Sequence, residues 1–405
     1  MRPVLVRLHR WFGIGIALFL FVSGITGAVI AWNRELDAAL NPEFYYARTQ
    51  APALLPLDIA NRVEAADPRL HITYLSLGVE PGSTLQVRVE GRLDPATQAP
   101  YELGFNQLAI DPATGIIQAR REWGALSVTR LNVMPFLYQF HYTLYLPTTA
   151  SGIAIGVWLL GIVGIVWLFD SVIALVLAFP SPKTWRKSLM FRVRRGGYAL
   201  VFDLHRSGGV WVWAMLGVIA LTSISMNLEK PVMRPVVSFF STLAPAPESM
   251  AQPMRPGAAP LSRERIVELA AIAGRKMRLE SAPGATFEVA ALNLYGVGYF
   301  APGGDYDIHG LGNAWTYWDA TTGQQVGGSV PGRGSAGDIF MQSQFPLHSG
   351  RIVGLPGRIA ISFMGLMVAL LSATGLVIWM KKLKARRNAS RRVRADAPTR
   401  RVLKP

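Results

Sequence analysis

Four long apolar runs punctuate the chain at Trp11–Trp32, Ser151–Phe179, Val210–Leu228 and Leu355–Met380. At about 1.5 Å of helical rise per residue, each can cross about 30 Å of hydrocarbon. Between the first and second runs, and again between the third and fourth, the pattern turns polar. The first polar stretch predicts a helix near LPLDIANRVEAA and alternating runs at HITYLSL and TLQVRVEG. It ends in LGFNQLAIDPATGIIQAR, which reads as strand, turn, strand. The second opens on a Pro-rich lead-in, LAPAPESMAQPMRPGAAP, followed by a helix at SRERIVELAAIAGRKM with Ser262 as its N-cap. Strands follow at ATFEVAALNLY and NAWTYWDATTGQQVGG, where the Asp319–Gly323 turn echoes Asp111–Gly115.

The chain therefore reads as a duplication of span, lobe and span. The starts of spans one and three match, LHRWFGI against LHRSGGV, and both spans end near an asparagine, Asn33 and Asn227. The expected fold is an α-helical membrane protein with four transmembrane helices and two small α+β lobes, each a helix on a short antiparallel sheet. Its expected segments are span one (1–33), lobe one (34–146), span two (147–180), a basic loop (181–206), span three (207–229), lobe two (230–350), span four (351–380) and a disordered basic tail (381–405).

Charge orients these spans. The net charge is +16 over 405 residues, and the basic residues cluster. Arg2, Arg7 and Arg10 precede span one, and Lys183, Arg186, Lys187, Arg192, Arg194 and Arg195 lie between spans two and three. The tail KKLKARRNASRRVRADAPTRRVLKP follows span four. The positive-inside rule puts all three clusters in the cytoplasm, hence both termini there and both lobes in the periplasm of a bacterial inner membrane. Anionic lipid accounts for this charge better than nucleic acid. The first run is too long for a signal-peptide core and lacks a clear small-x-small site, so it reads as an uncleaved span.

There is no cysteine. Thiolate-held iron–sulfur clusters, disulfides and covalently attached haem are thereby excluded, and histidine becomes the leading metal ligand. The chain has six histidines, four of them beside predicted spans: His9, His141, His205 and His348. His9 and His205 start helices that run outward, and His141 and His348 precede helices that run inward. Packing of the duplicated halves about a pseudo-two-fold would bring His9 to His205 near the inner surface and His141 to His348 near the outer one. Facing neutral imidazoles can fill both axial positions of a haem b, so two haems per chain are expected. Gly13, Gly15, Gly208, Gly209, Gly350, Gly354 and Gly357 follow these histidines and would let a flat group approach.

Other residues carry weaker signals. Arg10 and Arg206 adjoin the inner histidines, and Arg351 and Arg358 lie near the outer ones. Any of the four suits a haem propionate, against the plainer role of anchoring to lipid headgroups. Asp170 in WLFDSVIAL is a carboxylate inside a span, a costly placement that suits a proton or charge role, a pair with Arg206 or Arg10, or a water-filled cleft. Trp158, Trp167, Trp211, Trp213 and Trp379 line the membrane region, mostly as interface and packing residues. His71 and His309 read as ordinary lobe residues, although His309 sits in the Gly- and Asp-rich GGDYDIHGLG, which leaves weak metal contact open.

The segments LHRWFGIGIALFLFVSGITG, FHYTLYLP, DLHRSGGVW and LHSGRIVGLPGRI, with the two D-x-x-T-G turns, resemble the PepSY-associated transmembrane proteins, which include inner-membrane siderophore-iron reductases. The resemblance covers the chain outside its basic tail. It implies PepSY-type lobes in the periplasm, haem held by His9, His205, His141 and His348, and ferric siderophore iron as the acceptor. The alternatives are a PepSY-lobe sensor, protease regulator or peptide-binding membrane protein without redox activity, and a histidine relay for metal transport. No Gly-rich nucleotide fingerprint follows a strand, so the electron donor is expected to be quinol or a separate cytoplasmic reductase.

Overall fold

The computed structural model describes residues 1–250, 259–306 and 309–395. They form two compact units: one gathers Met1–Ala28, Val157–Asn227 and the chain from Ser362 onward, and the other Val29–Gly156 and Leu228–Ile361.

The first unit is helical. Its principal helices belong to α1 (Arg2–Ile30), and further along the chain to Ile155–Ala178, Gly197–Trp211, Trp213–Asn227 and Leu355–Ala395. Among the described residues, Arg2–Ile30, Ile155–Ala178 and Leu355–Ser390 are each long and apolar enough to cross a membrane. Gly197–Trp211 and Trp213–Asn227 together pass as a fourth, broken span with a 71° bend. Large apolar side chains face outward, among them Leu18 at 69% exposure and Phe169 at 64%. Such a surface suits lipid rather than water. Inside, Leu216, Met364 and Val368 are buried with Leu20, Trp167 and Leu371 packed on them. Gly24 and Gly365 mark a close approach of α1 to the helix Leu355–Ala395: a Cβ on either would lie 2.5 or 2.4 Å from the other's carbonyl oxygen. Only small residues permit that approach between membrane helices.

The second unit holds a mixed helix and strand lobe. Its helices are α2 (Asn33–Leu40), α3 (Pro56–Ala66), α4 (Val133–Thr143), and, past the spans α5 (Ile155–Ala178), α6 (Gly197–Trp211) and α7 (Trp213–Asn227), α8 (Arg263–Lys276) and α9 (Ala336–Ser349). The last helix among the described residues, Leu355–Ala395, is α10. Strands β1 (Leu70–Ser76), β2 (Leu85–Gly91), β3 (Gln107–Ile110), β4 (Ile117–Arg121), β5 (Pro283–Val289), β6 (Leu294–Tyr299), β7 (Ala314–Asp319) and β8 (Gln325–Ser329) form one antiparallel sheet. Their order is β4-β3-β2-β1-β5-β6-β7-β8. Helix α3 buries Ile59, Ala60 and Val63 against Ile72, Leu75 and Val87. Helix α8 buries Ile266 and Ala270 against Val297 and Trp318.

Four expectations need correction. The two lobes do not carry separate sheets: β1 pairs with β5 through Tyr74–Phe287, Leu75–Thr286 and Ser76–Ala285, which merges both halves. Backbone pairing satisfies two strand edges that would otherwise stay open. The run ATFEVAALNLY is not one strand, because Asn293 adopts a left-handed conformation (φ 51°) and turns the chain from β5 into β6. Residues 197–206 are not loop but most of α6, and the helix breaks after Trp211 instead. Gly208 and Gly209 fill the last turn before that break, where a pair of glycines weakens a helix. The tail is helical as far as Ala395, because Lys, Arg and Ala favour helix without any apolar stripe. Residues 396–405 and 251–258, the latter within the Pro-rich lead-in, lie outside the described residues, as do 307 and 308 in the loop before His309.

The duplication is exact at the turns. Asp111 accepts from the backbone N–H of Ala113 (3.0 Å) and Thr114 (3.3 Å), and Asp319 from Thr321 (3.0 Å) and Thr322 (2.7 Å). Gly115 and Gly323 close these turns at φ of 75° and 69°, conformations that glycine adopts without strain.

Candidate functional site

The four span-flanking histidines come together as two couples, one in each unit. In the helical unit, His9 of α1 and His205 of α6 face each other with ring centres 6.1 Å apart and planes at 45°. Each has its Nδ1 engaged. His9 Nδ1 lies 2.9 and 3.1 Å from the carboxylate oxygens of Asp170 on α5. His205 Nδ1 lies 2.9 Å from the carbonyl oxygen of Leu371 and 3.3 Å from Thr374 Oγ1, both on α10. A carbonyl only accepts, so His205 carries its proton on Nδ1 and leaves Nε2 unprotonated. The carboxylate imposes the same tautomer on His9. Gly375 sits against His205, where a Cβ would be 2.9 Å from the ring's Cε1. Beside His9, a Cβ on Gly13 or Gly15 would meet no atom within 4 Å.

In the other unit, His141 of α4 and His348 of α9 have ring centres 6.4 Å apart and planes at 53°. These histidines do not start spans directly. Each ends a short helix of its own, and a turn precedes the following span. Ser335 and Asp338 start α9 with a reciprocal capping box, and Gly350 at φ 73° ends it. His348 lies outside the spans, and burial pushes its pKa down to about 4. It is therefore neutral near pH 7, the form that binds metals.

Two imidazoles bound to one iron from opposite sides, each at about 2 Å, hold their ring centres roughly 6 Å apart. Both couples match that separation. Metal clusters of another kind are absent: among the described residues no group of three or more His, Cys, Asp or Glu is placed to hold an ion.

The arginines divide. Beside the His9–His205 couple, Arg10 Nε and Arg206 Nε are buried without a hydrogen-bond partner. Arg10 also stacks over Trp11 at 5.3 Å, and Arg206 reaches Asp203 at 3.3 Å and the Lys187 carbonyl. Arg351 donates to the Tyr306 carbonyl. Arg358 donates to the Ala31 carbonyl at 3.0 and 2.8 Å and to Glu35 at 2.7 Å, and covers the Trp32 ring at 4.5 Å. Its guanidinium is thus engaged by protein. The expected pairing of Asp170 with Arg206 or Arg10 does not form. Arg206 turns to Asp203, which Arg192 also grips at 2.7 and 2.8 Å, and Asp170 goes to His9.

Of the tryptophans, Trp167 packs on the helical core, Trp213 Nε1 donates to the Ser171 carbonyl at 2.9 Å, and Trp158 and Trp211 are exposed. His309 is exposed. His71 lies in the lobe, in an ionic cluster with Glu64, Glu288 and Arg263 where the halves of the sheet meet. Sequence reasoning missed Asp203, Thr374 and Gly375, which carry no signal of their own until α6 and α10 are packed together.

No curated protein matches the chain. Residues 6–382 match the family model described as the PepSY-associated TM region. With spans, antiparallel sheet and all four paired histidines inside that match, the chain belongs to the PepSY-associated transmembrane family.

Proposed function

We propose that this protein is a di-haem reductase of the bacterial inner membrane, moving electrons from the cytoplasmic side to ferric siderophore iron in the periplasm. The observation that carries this reading is the pair of histidine couples with ring centres 6.1 and 6.4 Å apart. His9 with His205, and His141 with His348, would each hold one haem b between their imidazoles. Haem bound in this way supplies reversible one-electron chemistry with no open coordination position, which suits electron transfer rather than oxygen activation.

The protein's own groups do the rest. The Nδ1 partners of His9 and His205 hold each ring through one nitrogen and leave Nε2 as the nitrogen that would ligate iron. Burial keeps His348 neutral and able to ligate. Arg10 and Arg206 present buried Nε–H groups without protein partners, which suit propionate carboxylates. Arg358 keeps its partners Ala31 and Glu35 and serves as a structural clamp in this reading.

The acceptor step requires no acid or base. Fe(III) is a hard ion held by oxygen ligands, and reduction to Fe(II) lowers its charge and loosens that hold. The donor is quinol or a separate cytoplasmic reductase. The positive-inside rule assigns the His9–His205 couple to the cytoplasmic side and His141–His348 to the periplasmic side.

The test uses purified protein in detergent. Dithionite should develop the absorption bands of low-spin, bis-imidazole haem. A ferric siderophore should then return the spectrum to its oxidised form and yield Fe(II) that a ferrous chelator traps. A reduced protein that stays reduced in the presence of every ferric chelate offered would remove the siderophore from the reading.

A further inference from the structure

The two imidazoles of the helical unit are not equivalent. His205 Nδ1 is held by a neutral carbonyl, Leu371 O at 2.9 Å. His9 Nδ1 is held by a carboxylate, with both oxygens of Asp170 within 3.1 Å. Asp170 is 7% exposed and sits on a helix apolar enough to cross a membrane. A carboxylate in such a place is expensive unless something specific uses it. Its carboxylate contact is with His9, while Arg206 reaches Asp203 and Arg10 lies over Trp11.

We propose that Asp170 is a positioning residue that tunes the reduction potential of the centre bound by His9 and His205. This inference rests on the haem reading above and deepens it. A hydrogen bond from Nδ1–H to a carboxylate draws the proton away from the ring, gives Nε2 more electron density and makes His9 a stronger donor to iron. A stronger donor, with a fixed negative charge behind it in a poorly screened site, favours Fe(III) over Fe(II). Asp170 therefore holds this centre at a lower potential than a neutral hydrogen-bond acceptor would. His205 supplies the internal comparison, since its carbonyl partner orients the ring without adding charge.

The experiment isolates the centre first. In the full-length protein, His348→Ala removes the other centre, leaving one redox wave to assign. Asp170→Asn and Asp170→Glu are then made on that background, and each protein is titrated spectroelectrochemically while its low-spin ferric EPR spectrum is recorded. Asp170→Asn should retain the bis-imidazole bands but raise the ferrous-to-ferric ratio at fixed potential about tenfold, an upward shift of about 59 mV for one electron. Its largest g value should rise as the axial field weakens, and Asp170→Glu should stay near the parent in both readouts. An unchanged midpoint and g value in Asp170→Asn, with haem retained, would overturn the proposal. Loss of haem from folded Asp170→Asn would overturn it too, making Asp170 a structural support only. Failure of the underlying reading looks different, because the parent protein itself would then contain no haem.

Discussion

His71 of β1 and Glu288 of β5 meet at 2.8 Å where the two halves of the sheet join. Glu64 of α3 lies 3.2 Å from the other side of the same imidazole and accepts from the Ile72 backbone N–H at 2.7 Å. Arg263 of α8 completes the cluster, 3.2 Å from Glu64 and 2.8 Å from the Ile72 carbonyl. Lobe one thus supplies two of these charges and lobe two the other two. A duplicated chain has made its joint electrostatic as well as hydrogen-bonded.

That cluster predicts a pH dependence. Burial disfavours charge on His71, but its hydrogen bond to Glu288 and the nearby Glu64 carboxylate outweigh it and raise its pKa to about 9. Burial likewise opposes charge on Glu64, which His71 and the Ile72 N–H nonetheless hold down at about 2. The contribution of His71 is complete below its ordinary value of 6.5 and is lost as pH climbs through about 9. That of Glu64 is present above 4.5 and is lost as pH falls through about 2. Thermal unfolding of the detergent-solubilised protein should therefore show stability declining from pH 7 to pH 10. His71→Gln should flatten that decline and lower stability near pH 6 by about 1–3 kcal/mol, the cost of leaving a buried partner unsatisfied.

A second buried pair should matter more. Arg121 and Asp37 meet at 2.7 Å with side chains only 3% and 1% exposed. Tyr45 and Asn41 also donate to Asp37, at 2.6 and 2.8 Å. Asp37→Ala would strand the guanidinium without its counter-charge, at a cost of about 3–5 kcal/mol. Chemical unfolding should show a loss of that size, with a much smaller loss for Glu43→Ala, whose pairing with Arg130 is exposed.

Gly375 offers a probe of ring placement that leaves every histidine intact. The added methyl of Gly375→Ala would lie 2.9 Å from His205 Cε1, closer than unbonded carbons approach, and the ring or helix α10 would have to shift. Haem quantification should fall by about half relative to the parent, with the remaining absorption belonging to the His141–His348 centre. Undiminished haem with an unaltered spectrum would show that the ring's position is not critical.

Much of this candidate site is legible in the sequence, and for a physical reason. A histidine at the edge of an apolar run stands out against its neighbours, and LHR recurring at Leu8–Arg10 and Leu204–Arg206 marks equivalent positions in a duplication. The Asp–Gly turns were legible because their geometry demands those residue types. The union of β1 with β5 was not, since the paired residues lie about two hundred positions apart and an edge strand has the same alternation whether or not it finds a partner. The 71° bend escaped because the apolar run continues across it unbroken. Asp170 announced itself as an intramembrane carboxylate, but its partner depended on how α1 packs against α5, so the nearer-sounding arginines stood in for His9.

The central claim is that each histidine couple holds one haem. Haem content per chain, measured on the wild type and on His9→Ala, His205→Ala, His141→Ala and His348→Ala, tests it most directly. The account predicts two haems in the wild type and one in every variant, with His9→Ala and His205→Ala leaving one common spectrum and His141→Ala and His348→Ala leaving a different one. A wild type devoid of tetrapyrrole, or losses that ignore this pairing, would contradict it.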